Sequence, residues 1–348
     1  MKWDFRSTIS GARRGPLAML ARLGLRLASL PYGWAVSLRN RKYDSGKLPI
    51  HECGVPVISV GNLTTGGTGK TPIVCYLAKQ FRNSGIRVAI VSRGYGRGDA
   101  DQNDEAMELH ARLPDVPHVQ DPDRVEAARV AVEELEAQVI LMDDGFQHRR
   151  LHRDENLVVI DATCPFGYGY VLPRGLLRES VNGLSRADAV LITRCDAVSE
   201  ADVAAIESRV REHTDAAIIR SHHAPLHLLE HPTEQFPIET LKGQRIAIVC
   251  AIGNPDAFQR TVTDCGATVV ATRFLGDHDE YSPETMKALR TWVQSLGDTI
   301  DCVVCTHKDL VKIRADRIGG KPIRAILIDL QVVGDERPLL EVIQRNTV

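Results

Sequence analysis

The sequence has almost no net charge, no long uncharged apolar run and no paired-cysteine framework. Its 43 Lys and Arg stand against 45 Asp and Glu, a formal charge of -2 over 348 residues. The global basic excess that gathers phosphates onto a nucleic-acid binder is therefore missing. Within residues 1–50 the longest uncharged stretch, 27–38, contains Pro31 and Gly33 and is too short to span a bilayer. A secretory signal also fits poorly, because charges recur through the apolar part of the N-terminus and no clear cleavage site follows. The eight cysteines (Cys53, Cys75, Cys164, Cys195, Cys250, Cys265, Cys302, Cys305) are scattered, mostly inside apolar runs. Only Cys302 and Cys305 approach a C-x-x-C, within a stretch that reads as a strand. Buried free thiols in a reducing compartment explain them better than a metal or redox pair. No internal repeat or low-complexity tract is visible. An ordinary globular composition is left, on a chain long enough for two domains with real cores.

The stretch that organises this chain is Val57-Ile58-Ser59-Val60-Gly61-Asn62-Leu63-Thr64-Thr65-Gly66-Gly67-Thr68-Gly69-Lys70-Thr71-Pro72. A β-branched run enters a glycine-rich loop, and Gly-Lys-Thr opens a helix. Glycines let several N–H groups curl inward on an anion, and the helix N-terminus adds its positive dipole end. Thr64 through Thr71 thus form a candidate phosphate-binding loop. Lys70 would reach the β- and γ-phosphates, and the Thr71 hydroxyl would hold a magnesium ion. Thr64 occupies the place of the first glycine of G-x-x-x-x-G-K-[ST]. A tight strand–helix turn with a chance lysine is the bland alternative.

Residues 1–50 differ from the rest, with ten Lys and Arg against two acids. Leu20, Leu23, Leu27, Leu30 and Trp34 step by three and four, as on one helix face, while Arg14, Arg22 and Arg26 fall off it and Leu25 breaks the pattern. Such a segment either lies in a membrane surface with its arginines on headgroups, or packs on the chain's own core.

Past residue 50, strands alternate with helices. Strands are expected at 55–60, 87–92, 139–142, 157–160 and 189–193, with helices at 72–83, 124–136 and 200–212 between them. The alternation implies a parallel sheet with helices on both faces and ligands at the carboxyl ends of the strands. The expected division is a basic N-terminal segment 1–50, a core domain 51–225, a connection 226–242 and a second, smaller α/β lobe 243–348. The second lobe would carry strands at 245–251, 268–274, 302–306 and 325–330, and helices at 255–264 and 283–296.

Val139-Ile140-Leu141-Met142-Asp143-Asp144 is an apolar strand ending in two carboxylates. Beside a phosphate loop, such acids bind the magnesium shell or orient a water on it; a plain turn cap is the alternative. Asp143 and Asp144 are thus the candidate metal groups with Thr71.

Several runs are familiar together: Asp143-Asp144-Gly145-Phe146-Gln147-His148-Arg149-Arg150-Leu151, Ser92-Arg93-Gly94-Tyr95-Gly96, Leu172-Pro173-Arg174-Gly175-Leu176-Leu177-Arg178-Glu179, and Arg39-Asn40-Arg41-Lys42-Tyr43-Asp44-Ser45-Gly46. With the phosphate loop, they make the chain resemble the tetraacyldisaccharide 4'-kinases of lipid A synthesis, over residues 39–312. The resemblance implies a P-loop kinase that uses ATP and Mg2+ to phosphorylate the 4'-hydroxyl of a tetraacylated glucosamine disaccharide 1-phosphate, giving lipid IVA. It also implies a monotopic enzyme on the cytoplasmic face of the bacterial inner membrane, held there by its N-terminal helix. No nucleic acid and no obligate protein partner is expected.

The resemblance further implies an Asp base from a Gly-Asp-Glu-Pro element, assisted by a His of the second domain. Asn103-Asp104-Glu105-Ala106 is the match, with both flanking residues replaced; it makes Asp104 the candidate base, with Asp99 and Asp101 as neighbours that compete. The matching histidine is His278, in Gly276-Asp277-His278-Asp279-Glu280-Tyr281. Closure of the second lobe would bring it in and exclude water. Arg174 and Arg178 lie in a Pro-x-Gly-x-x-Arg-Glu element suited to phosphate recognition. Arg124 starts an expected helix, where a cation opposes the dipole, so it either faces an anion or is simply solvated. Lys308 and Asp309 either contact the nucleotide base or form a structural salt bridge. Two other functions fit the loop alone: a soluble P-loop kinase or ligase for a small metabolite, and a nucleotide-gated switch protein.

Overall fold

The structure, a computed structural model, describes residues 5–66, 68–94, 104–253, 255–276 and 279–346, with the side chains of residues 104 and 105 outside that set. In chain order its main elements are α1 (Phe5–Ile9), α2 (Pro16–Asp44), β1 (Val57–Asn62), α3 (Lys70–Asn83), β2 (Val88–Ser92), α4 (Asp104–Arg112), β3 (His118–Gln120), α5 (Arg124–Glu133), β4 (Val139–Asp143), β5 (Glu155–Asp161), β6 (Ala189–Thr193) and α6 (Glu200–Arg211). They continue with β7 (Ala217–Glu230), β8 (Glu234–Pro237), β9 (Arg245–Cys250), α7 (Pro255–Asp264), β10 (Thr268–Phe274), α8 (Pro283–Leu296), β11 (Cys302–Thr306), α9 (His307–Ile313), β12 (Arg317–Ile318), β13 (Lys321–Val333) and α10 (Arg337–Arg345). Two compact units form: one from the described residues up to Gly94, Asp115–His222 and Leu330 onward, the other from residues 104–114 and His223–Asp329.

In the first unit the strands run in the order β7-β6-β5-β1-β4-β2-β3, every pair parallel. All residues of β1, β2, β4, β5 and β6 are buried, which requires both faces of the sheet to be covered. The alternation of strand and helix read from the sequence is therefore the fold. β1 lies between β4 and β5, with Val60 opposite both Asp143 and Leu157. The chain leaves β1 through α3 to β2, beyond β4, while β5 takes the other side. The strand order thus reverses at the end of β1, where a doubly wound sheet opens its ligand crevice. Gly61 is required there: a Cβ on it would meet the Phe146 Cβ and backbone N at 2.6 Å.

α2 runs as one helix through Pro31. Ala18 and Ser29 are buried, and Leu25, Tyr32, Val36, Asn40 and Tyr43 are half-buried, an inner stripe at helical spacing. Leu25, which broke the apolar pattern, belongs to this inner stripe. The stripe of Leu20, Leu23, Leu27, Leu30 and Trp34 points outward, 54–70 % exposed. The reading in which that stripe packs on the chain's own core is thereby corrected. No described helix is long and apolar enough to cross a membrane.

In the second unit β10-β9-β11-β13-β7 follow in that order; β10, β9, β11 and β13 pair in parallel, β12 runs antiparallel to β13, and β8 antiparallel to the end of β7. Its cores include Val249, Leu289, Val293 and Val303 in one cluster and Ile246, Ile248, Phe258 and Val304 in another. Residues 226–242 hold the end of β7 and all of β8, with Leu228 and Leu241 fully buried. All eight cysteines are free thiols. Cys302 and Cys305 are both buried, and burial pushes the Cys302 thiol up to about 11 and that of Cys305 well above the ordinary thiol value, which suits inert core residues. Asp309 does not reach outward: it is 1 % exposed and closes a capping box with Thr306 at the start of α9, taking the Ala251 N–H as well, and among the described residues no cation pairs with it.

Candidate active site

The loop between β1 and α3 is shaped by its glycines. Gly66 (φ 113) and Gly69 (φ 81) take the left-handed backbone that other residues resist, and Gly69 sits at the N-cap of α3. Thr64 needs no such freedom. It forms an antiparallel bridge with Leu177 in extended backbone, so a β-branched residue replaces the usual first glycine there. Two further bonds fasten the loop to the same segment: the Thr65 N–H donates to the Leu176 carbonyl at 2.8 Å, and the Arg178 N–H to the Leu63 carbonyl at 2.7 Å. Thr68 is held from two sides. Its hydroxyl accepts from the Asn62 amide at 2.8 Å and its carbonyl from the Thr193 hydroxyl at 3.1 Å. Gly67 lies outside the described residues. Lys70 and Thr71 open α3, at the positive end of the helix.

Asp143 closes β4, 6 % exposed, and Asp144 follows in the left-handed region at φ 54. The Lys70 Nζ lies 3.3 Å from Asp144 Oδ1, and Arg178 Nη1 lies 2.7 Å from Oδ2. Burial would raise the Asp144 carboxyl, but the charges of Lys70 and Arg178, with their hydrogen bonds, outweigh it and hold the group at about 2. Asp144 is thus ionised and placed between Lys70 of the phosphate loop and Arg178 of the segment bonded to that loop.

Arg124 is 5 % exposed, so it is not a solvated first-turn residue. Burial lowers its pKa, and the nearby charges of Asp144 and Asp143 oppose that shift. A buried cation at a helix N-terminus must face anions, and these two carboxylates supply them. His148 lies beside it. Burial first, then the charges of Arg124 and Arg153, bring its pKa down to about 4, so its ring is neutral at pH 7.

Of the two arginines expected on a substrate phosphate, Arg178 joins the cluster around Asp144, whereas the Arg174 side chain does something else. Its guanidinium donates to the Ile9 carbonyl at 2.7 Å and lies over the Tyr170 ring, 4.4 Å from the centroid. Asp104 begins α4, with its side chain outside the described residues, and His278 lies outside them altogether. α4 itself is anchored: Glu108 faces the His307 ring at 3.8 Å, and Arg112 pairs with Asp329 at 3.3 Å.

Sequence reasoning gave no role to Asn40, Asn62, Gln147, Arg149, Glu179 or Arg186. Glu179, 2 % exposed, accepts from Asn40 (2.9 Å), Gln147 (2.9 Å) and Arg186 (2.8 Å). Arg149 bonds the Asn40 carbonyl and pairs with Asp44 at 2.7 Å, tying the end of α2 to the segment after Asp144. All but Arg186 fall inside motif runs read from the sequence, but which letter bonds which is a three-dimensional fact.

A glycine loop, a lysine and two strand-end acids at a switch point suit a nucleotide triphosphate, and comparisons name the class. The family model for LpxK, tetraacyldisaccharide-1-P 4'-kinase, matches residues 21–347. This chain belongs to the tetraacyldisaccharide 4'-kinase family. It is 37 % identical over 340 residues to the tetraacyldisaccharide 4'-kinase of Anaeromyxobacter dehalogenans strain 2CP-C, covering 92 % of this chain and 89 % of that one. It is 38 % identical over 315 residues to that of Geobacter metallireducens, covering 85 % and 90 %. The crystal structure of LpxK from Aquifex aeolicus in complex with ATP is similar with a TM-score of 0.75 and 29 % identity, over 94 % of this chain and 100 % of that one. A tetraacyldisaccharide 4'-kinase needs a seat for ATP and a group to receive the hydroxyl proton. The loop of residues 64–71 is suited to the first, and α4 carries the candidate for the second.

Proposed function

We propose that this chain transfers the γ-phosphate of ATP to the 4'-hydroxyl of a tetraacylated disaccharide 1-phosphate, with α2 resting in the surface of the membrane that holds the lipid. The observation that carries the reading is the meeting of Lys70, Arg178 and the ionised Asp144 beside a glycine loop, in a chain of this family.

Phosphoryl transfer asks for positioning, charge neutralisation and a proton acceptor. Lys70 and the loop N–H groups would hold the phosphates. Thr71, Asp143 and Asp144 fit a magnesium ion, being a hydroxyl and two strand-end carboxylates that supply the hard oxygen ligands it prefers. Bound there, the ion would offset charge on the phosphate oxygens. Arg124 and Arg178 add fixed positive charge near the same carboxylates, and the neutral His148 ring can hydrogen-bond without adding to it. Asp104 is proposed as the base and His278 as the residue that supports it. Arg174, engaged with Ile9 and Tyr170 through its guanidinium and with the Ser29 hydroxyl through its backbone N–H, is proposed to shape the region under α1 and α2.

Leu17, Leu20, Leu23, Leu27, Leu30 and Trp34 are each more than half exposed on one helix. A large apolar side chain left in water forgoes about 1.5–3 kcal/mol of burial, and a contiguous row of six is hard to account for without an apolar cover. With ten basic residues in the first fifty, an anionic lipid surface is the natural one. The acceptor's acyl chains give the reason: they stay in the bilayer, so the enzyme must come to them. The cytoplasmic face of the inner membrane, where ATP is available, is the proposed location.

ADP release, followed with and without the acceptor lipid in detergent micelles, tests this reading. Release that rises sharply with the tetraacylated disaccharide supports it; release equally slow in both conditions would point to a nucleotide-gated switch.

A further inference from the structure

A chain of hydrogen bonds links α2 to the phosphate loop, and the reaction outlined above gives it no part. On the inner face of α2 the Asn40 amide donates to Glu179 Oε2 at 2.9 Å. The other oxygen of Glu179 accepts from Gln147 Nε2 at 2.9 Å, and the same nitrogen donates to the Asn62 carbonyl at 2.8 Å. Asn62 ends β1 and in turn donates its amide to the Thr68 hydroxyl at 2.8 Å, one residue before the N-cap of α3. Asn62 is fully buried, and Glu179 and Thr68 are 2 % and 5 % exposed, so water does not compete along most of this path.

We propose that Asn40 is a positioning residue for the nucleotide: through Glu179 and Gln147 it sets the Asn62–Thr68 bond that shapes the phosphate loop. The logic is geometric. Gln147 shares one NH2 group between the Asn62 carbonyl and Glu179, so the tilt of the Glu179 carboxylate decides where that group points. Arg186 and Asn40 both bond Oε2 of that carboxylate and fix its tilt from two directions. A second tie runs parallel: the Tyr32 hydroxyl, also on α2, donates to the Arg178 carbonyl at 2.9 Å, and the Arg178 side chain holds Asp144. α2 therefore carries an outward apolar stripe and an inward polar one, and the inward stripe registers the loop with the helix. On the proposed reading of α2 as a lipid-surface helix, this register places ATP at a fixed height from the lipid plane.

The test uses the full-length chain and a fluorescent ATP analogue, first without any lipid. Asn40→Ala is expected to weaken nucleotide binding about five- to tenfold, the loss of one bond to a buried carboxylate, and to raise KM for ATP alike. KM for the acceptor lipid and binding to vesicles of anionic phospholipid should stay within about twofold, by the same arithmetic. Asn40→Gln, which keeps an amide donor, should recover most of the nucleotide affinity. If Asn40→Ala proves poorly folded, Asn40→Asp, which keeps the shape and sets a second carboxylate against Glu179, should weaken ATP binding beyond the level of Asn40→Gln. Unchanged nucleotide affinity in Asn40→Ala, or a loss confined to the lipid KM, overturns the proposal. Failure of the unaltered protein to bind vesicles would instead remove the membrane reading, and the lipid-free nucleotide comparison would still decide this one.

Discussion

Lys70 and Arg178 share one carboxylate, Asp144, with Lys70 3.3 Å from one oxygen and Arg178 2.7 Å from the other. Lys70 comes from the start of α3 and Arg178 from the segment bonded to the phosphate loop. Asp144 thereby keeps the lysine aimed into the site instead of out into solvent. Replacing Lys70 by Ala should lower kcat at least about 10²–10³-fold, the scale for one lost electrostatic donor. Steady-state kinetics with ATP and the acceptor lipid check this; retained activity would remove Lys70 from the phosphate site.

Stability should depend on pH in two separate windows. His148 titrates near 4 in the fold against about 6.5 in an unfolded chain. Between those values the unfolded state binds the extra proton, so stability falls as pH drops from about 6.5 toward 4. His148→Gln should flatten that slope in thermal melts across the range. Asp144 sits at about 2, below the usual ~3.9 of an Asp, so its stabilisation is complete above ~4 and is lost as pH falls from there toward 2. An Asp144→Asn variant should lack this second decline.

The outward stripe of α2 can be changed without touching the interior. Leu27 and Leu30 are 60 % and 65 % exposed, so Leu27→Asp with Leu30→Asp should alter folding stability by no more than about 1 kcal/mol, twice the usual surface effect. The same pair should release the protein from anionic vesicles in a flotation assay while leaving ATP binding unchanged. Persistent flotation would show that the stripe is not the membrane contact.

Asp104→Ala should reduce kcat about 10²–10⁴-fold, the range for a lost general base, with KM for ATP nearly unchanged. An unaltered kcat would shift the role to Asp99 or Asp101.

Much of this architecture was legible in the sequence because buried parallel strands are near-continuous apolar runs. Ala189–Thr193 and Cys302–Thr306 fall where their composition places them. β3, with three half-buried residues, and β7, whose fourteen residues mix His, Arg and Pro, carry no such signal and were missed. The loop, Lys70 and the strand-end acids could be read because their chemistry demands a local order of residues. Arg174 and Arg178 show the limit of that approach. Four residues apart in one motif, they look interchangeable, yet one turns to Asp144 and the other to the Ile9 carbonyl. Asp309 is a similar case: a strand-end acid by sequence, a helix cap in the structure. Glu179 followed Arg178 without drawing notice, since nothing in a linear chain marks a carboxylate as buried under Asn40, Gln147 and Arg186.

The most direct measurement is the position of the new phosphate. Purified protein would be incubated with ATP, Mg2+ and the tetraacylated disaccharide 1-phosphate in micelles, and the extracted lipid examined by mass spectrometry and phosphorus NMR. This account predicts a bisphosphorylated lipid bearing a new monoester at the 4'-hydroxyl, absent when ATP is omitted or Lys70 is replaced. Recovery of the lipid unchanged, or phosphate at any other hydroxyl, would contradict it.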